Sequence, residues 1–142
     1  MGRKGIAIAL AFAVLAAVSL LAFSPKVAPQ RSLAPAIFIS CDEEGNESRI
    51  YFSISAETGE VSVDATDDAH FGKSWGRYLE PASFDYSPLT GEVRFDGKVW
   101  RITGEPGART LENIETDYGA LWGTYYEDAR AASEAEPYHY ER

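Results

Sequence analysis

With 142 residues, 45% of them hydrophobic, the chain has room for one small core, and its net charge of −9 excludes an ordinary nucleic-acid binder, whose affinity needs clustered Lys and Arg. Four of the 13 basic residues (Arg3, Lys4, Lys26, Arg31) and none of the 22 acidic ones precede residue 37, so residues 37–142 hold nine basic against 22 acidic groups, a net −13. That balance suits a cationic partner, or plain solubility.

The first element is an uncharged run of nineteen residues, Gly5 to Phe23, the length a helix needs to cross a hydrocarbon core of roughly 30 Å. It predicts one membrane-entering helix, read either as a signal anchor or as a cleaved signal peptide. Both Ala17-Val18-Ser19, inside the run, and Ala34-Pro35-Ala36, well beyond it, fit small-x-small cleavage. The basic start, Arg3-Lys4, favours an N-terminus inside and the rest of the chain outside. The expected location is thus anchored in an inner membrane and facing the periplasm or exterior, or exported after cleavage. Residues 24–36 hold Pro25, Pro29 and Pro35 and read as an extended linker.

From residue 37 the pattern is β. Ile37-Phe38-Ile39 reads as a first strand and residues 42–47 as a polar hairpin turn, whose Gly45 and Ser53 do not fit a calcium loop. The single cysteine, Cys41, has no internal partner, so in an oxidising compartment it is free, paired to another chain, or, on the plainest reading, buried and inert. In residues 50–63, Ile50, Phe52, Ile54, Val61 and Val63 alternate with polar residues around the turn 56–59. Pairing Ser55 with Glu60 places Ile54 opposite Val61, Phe52 opposite Val63 and Ser53 opposite Ser62.

The letters Thr-Gly-Glu-Val recur at 90–93. The same register there sets Tyr86 against Val93, Phe84 against Phe95 and Asp85 against Arg94. Asp96-Gly97 signals a two-residue hairpin that brings Trp100 opposite Val93 and Arg101 opposite Glu92. A meander of 83–87, 92–96 and 98–103 follows, and the repeat is a reused turn. Residues 110–128 fit an amphipathic helix or a strand from Gly119 to Tyr126, and Gly119 and Gly123 favour the strand. The acidic tail 127–142 is short of core residues and is expected to fray.

The catalytic inventory is thin. The two histidines, His70 and His139, accompany no evident nucleophile, and no carboxylate pair stands out. Asp67, Asp68 and His70 have a composition common in solvated loops. Neither an enzyme, a cofactor nor a metal site is expected.

Between the hairpin and the meander lies Phe71-Gly-Lys-Ser-Trp-Gly-Arg-Tyr78, a basic loop in an acidic chain. Its Ser74-x-x-Arg77-Tyr78 resembles the S-G-A-R-Y stretch of the periplasmic and membrane-bound inhibitors of C-type lysozyme. Phe38-x-x-Cys41-x-x-x-Gly45 is similar to that family's opening strand, and Phe84-Asp85-Tyr86-Ser87 to its aromatic strand. The resemblance covers residues 37–103. It implies a small β-barrel that presents Ser74, with Lys73, Arg77 and Tyr78 as partner-binding residues, to the cleft of a cationic lysozyme. Two departures stand out: Pro88 occupies the place of the family's lysine, and no second cysteine pairs with Cys41.

The sequence thus describes an all-β chain, a small antiparallel meander or barrel behind one membrane-entering helix. Its parts are the membrane segment 1–23, the linker 24–36, the β domain 37–126 and the tail 127–142. The expected role is non-enzymatic binding of a protein, with the membrane engaged through residues 5–23. The alternative is a structural or assembly component of the cell envelope that makes contact through Tyr118 to Tyr140. Partner identity and oligomeric state are not encoded in any motif.

Overall fold

The computed structural model describes residues 27–67, 77–115 and 123–137. Over that range the chain is antiparallel β: β1 Ala36–Cys41, β2 Glu47–Ile54, β3 Val61–Asp67, β4 Arg77–Ala82, β5 Asp85–Ser87, β6 Glu92–Phe95, β7 Lys98–Thr103, β8 Thr110–Asn113 and β9 Thr124–Tyr126. Two short helices flank the strands, α1 Val27–Leu33 and α2 Ala129–Glu134. The expected membrane-entering helix at 5–23 lies outside the described residues. Among those described, no helix is long and apolar enough to cross a membrane.

The strands make one curled half-barrel sheet in the order β4-β3-β2-β1-β9-β8-β7-β6-β5. Every adjacent pair is antiparallel, and the eight reversals from one edge to the other leave β4 and β5 pointing the same way. These two edge strands are also consecutive in the chain, separated only by Ser83 and Phe84, a link that spans about 11 Å at most. Residues 77–87 therefore act as a single bent strand. Its first half pairs with β3 and its second half with β6, which obliges the sheet to curl, with a seam at the bend.

The predicted registers are observed. Ile54 pairs with Val61, Phe52 with Val63 and Ser53 with Ser62. Tyr86 pairs with Val93, Asp85 with Arg94, Val93 with Trp100 and Glu92 with Arg101. Asp96 and Gly97 both have positive φ, 51° and 69°, as a type I′ turn requires. The repeated letters build the same turn twice. The Gly59 amide donates to Ser55 O and the Gly91 amide to Ser87 O, each at 2.8 Å. The Thr58 and Thr90 hydroxyls accept from the amides of Glu60 and Glu92. The region left open between helix and strand contains β8 and β9, while residues 116–122 lie outside the described range.

Alternation drives Phe38, Phe52, Phe84, Phe95, Trp100 and Tyr125 inward, all at most 4% exposed. Phe52 is the hub: its ring lies 5.9 Å from Phe38, 5.0 Å from Phe84 and 5.9 Å from Phe95, each edge-on. Phe95 stacks on Trp100 at 5.3 Å, and Trp100 meets Tyr125 edge-on at 5.7 Å. Each such contact adds about 1 kcal/mol beyond the area it buries. Because Phe84 stands at the bend and touches Phe52, the aromatic cluster also holds the two sheet edges together.

Three expectations are corrected. The linker 24–36 is not an extended tether over its second half. Residues 27–33 are helical, and Leu33 (1% exposed) and Ala34 (6%) belong to the core. Gln30 Nε2 of α1 donates to Phe84 O at the bend, and Arg31 reaches Gly59 O at 3.1 Å, so the helix packs over the seam. Pro29 sits in the first turn, where a helix amide has no partner to lose. The tail does not fray directly after residue 126. Asp128 caps α2 by accepting from the Arg130 and Ala131 amides, and Ala132 is buried. Finally, Ile54 is 37% exposed, because β2 runs past the end of the core.

Candidate functional site

Antiparallel topology gives the sheet two distinct ends. The α1 end carries the turns 55–60, 88–91 and 104–109 and the start of α2. The loop end carries the turns 42–46 and 96–97 and the stems of the connections 68–76 and 114–123. The basic loop singled out by the sequence thus springs from the loop end, between β3 and β4.

Lys73 and Ser74 lie outside the described residues, as do His70 and Trp75. Both stems of their loop are described, and both are fixed. On the entry side, Asp67 closes β3 with 1% exposure, and Ser48 Oγ donates to its Oδ1 at 2.5 Å. Asp67 is therefore an interior residue and not part of a solvated Asp-Asp-x-His turn. On the exit side, Arg77 opens β4, 46% exposed at its side chain, and is held by two carboxylates, Asp64 at 3.2 Å and Glu80 at 3.2 Å. Burial pushes the Asp64 carboxyl above its ordinary value, an effect that Arg77 offsets in part and Glu80 reinforces. Tyr78 packs against the core. Of the four residues expected to face a partner, Arg77 and Tyr78 thus serve as the loop's exit post.

The rim around these stems is acidic. Asp42, Glu43 and Glu44 occupy the β1–β2 turn, Asp96 the β6–β7 turn, and Glu115 follows β8. Asp42 is engaged within its own turn, accepting from the amides of Glu44 (2.9 Å) and Asn46 (2.8 Å). Among the described residues no group of three or more His, Cys, Asp or Glu side chains is placed to hold a metal ion. Cys41, half-buried at the end of β1, has its thiol pushed up by burial and by the charges of Glu47 and Asp42, so it stays protonated at neutral pH.

Sequence reading missed a largely buried ionic contact, which lies at the α1 end. Arg109 and Glu127 meet as a two-pronged pair, both at 2.8 Å, with side chains 11% and 15% exposed. Glu127 also accepts from the amides of Gly107 and Arg109, and the Arg109 guanidinium lies 5.9 Å over the Phe38 ring. The hydrogen bonds from Arg109 hold the Glu127 carboxyl below its ordinary value. Alternation from Leu111 and Tyr125 would have placed both residues on the inward face.

Pro88, at the place of the inhibitor family's lysine, sits in the 88–91 turn at the α1 end, away from both stems of the basic loop. No protein-family model, curated protein or solved structure matches the chain.

Proposed function

We propose that this chain is a non-enzymatic, membrane-tethered or exported β domain that binds another macromolecule through its loop end, and that the partner is a cationic protein. The observation that carries this reading is the contrast at that end. A loop carrying Lys73 connects two fixed stems at the same end of the sheet as Asp42, Glu43, Glu44, Asp96 and Glu115. Such acidity steers a positively charged partner, and the loop supplies the local contact. A C-type lysozyme is the sharpest version of that partner, as the resemblance of Ser74-x-x-Arg77-Tyr78 implies.

The test is titration of the full chain, purified in mild detergent, into a C-type lysozyme activity assay at low and physiological salt. Inhibition that Ser74→Ala abolishes supports the inhibitor version. No inhibition at high micromolar protein removes it. In that case binding to a panel of basic proteins, lost on Lys73→Ala with Ser74→Ala, still tests the broader reading. Arg77→Ala is a poor probe, because it also releases Asp64 and Glu80. The envelope-assembly alternative is not tested by truncation after Gly104, since β8 and β9 join β7 to β1.

A further inference from the structure

We infer that the barrel stands on a lipid surface with its α1 end facing the bilayer and its loop end facing away. This rests on the reading of residues 5–23 as a membrane anchor and deepens it. The apolar run ends at Phe23 and α1 begins at Val27, so at most about 14 Å of chain separates them. Strands of six to eight residues make the sheet about 20–27 Å tall, so the bilayer lies nearer to the α1 end than to the loop end.

The surface chemistry agrees. Four large hydrophobic residues are exposed among those described, and three of them (Leu89 at 98%, Ile37 at 47% and Ile54 at 37%) lie toward the α1 end. Leu89 tops the β5–β6 turn, two residues on from Ser87, which lines one surface groove with Pro29 and Gln30 of α1. The most exposed apolar side chain among the described residues therefore stands at the same end of the sheet as the helix that leads back to the apolar run. An isolated exposed leucine needs no explanation, but one at the end where the chain enters a membrane is suited to dip into the interface. Arg31 is held by Gly59 O, and the same end carries the exposed acids Glu57, Glu60, Glu105 and Asp128, so the contact with the bilayer is apolar and not electrostatic. Ala34 and Ala36 are buried in the core, so cleavage after Ala36 would strip away the helix that covers the seam.

The experiment uses the full chain reconstituted into phosphatidylcholine vesicles containing phosphatidylglycerol and doxyl-labelled lipid. In a Cys41→Ser background, an NBD fluorophore is placed at Leu89→Cys in one sample and at Glu44→Cys, at the loop end, in another. Quenching several-fold stronger at position 89 than at 44 is the expected result. Retention on the vesicles with equal quenching, or stronger quenching at 44, overturns the orientation while the anchor stands. Release from the vesicles by alkaline carbonate overturns the anchor reading and the orientation with it.

Discussion

Both ends of the curled sheet are made of turns with glycine at positive φ, but Gly91 at the α1 end is embedded, whereas Gly107 at that same end and Gly45 and Gly97 at the loop end stand in open space. At the α1 end, Gly91 (φ 72°) lies against β7, and a Cβ there would come within 2.4 Å of Ile102 O. Ile102 also donates its amide to Gly91 O at 2.7 Å, so neither strand can retreat without breaking a hydrogen bond. At the loop end, Gly45 (φ 81°) and Gly97 (φ 69°) have nothing within 4 Å of the same position. The α1 end also holds the covering helix and the Arg109–Glu127 pair. The contacts that brace the curled sheet thus gather at the α1 end.

The contrast breaks most directly by removing the helix. A chain beginning at Ile37 loses Leu33 from the core and the Gln30 and Arg31 bonds to the bend and to the β2–β3 turn. Relative to a chain beginning at Lys26, it is expected to lose about 4 kcal/mol or to fail to fold, as read by urea denaturation. An unchanged midpoint would mean that the sheet closes without α1. Next in size, Gly91→Ala should cost about 3 kcal/mol, from strain plus the clash, whereas Gly45→Ala should cost about 1 kcal/mol, from strain alone. Equal losses in the two variants would remove the distinction between the ends.

The ionic pair sharpens the comparison through pH. Glu127 has its folded pKa lowered from 4.5, so its contribution is complete above about 4.5 and is lost as pH falls through the lower folded value. Glu127→Gln should therefore cost about 2 kcal/mol at pH 7 and flatten the acid side of the stability profile below pH 4.5. A parallel downward shift at every pH would show that the loss comes from packing and not from the charge.

The strand registers were legible because side-chain alternation and turn residues agree on them: Thr58-Gly59 and Thr90-Gly91 fix the loop lengths, and one residue of slip would turn Phe52 and Val93 outward. Two interior polar contacts were legible in principle, though unread. Carrying the Ile54–Val61 register upward pairs Ser48 with Asp67 on the inward face, where their hydrogen bond is found. Carrying the inward series past Leu111 and Tyr125 brings Arg109 and Glu127 to the same rung. The role of α1 was not legible. The three prolines of residues 24–36 suggest an extended tether, and only the bend at Ser83–Phe84, a long-range consequence of sheet order, supplies the carbonyl to which Gln30 of the helix donates while Leu33 is buried in the core. Lys73 and Ser74, which the resemblance implies as partner-binding, lie outside the described residues.

The smallest expected effect lies at the loop end, where Asp64 holds Arg77. The Asp64 carboxyl is raised from 3.8, chiefly by burial, so the folded state binds its proton more tightly than the unfolded chain does. By linkage, its contribution to stability falls as pH rises from about 3.8 through the folded value, the opposite sign to Glu127. Asp64→Asn should therefore leave stability at pH 7 within about 0.5 kcal/mol of the parent, or slightly above it, since the ion pair with a half-exposed arginine offsets little. Its effect should appear instead in the loop, because Arg77 then keeps only Glu80, an exposed partner three residues along the same strand. Faster proteolytic nicking within residues 68–76, at an unchanged denaturation midpoint, is the expected result. Unchanged nicking would show that the exit post is held by Tyr78 packing instead, leaving Arg77 available to a partner.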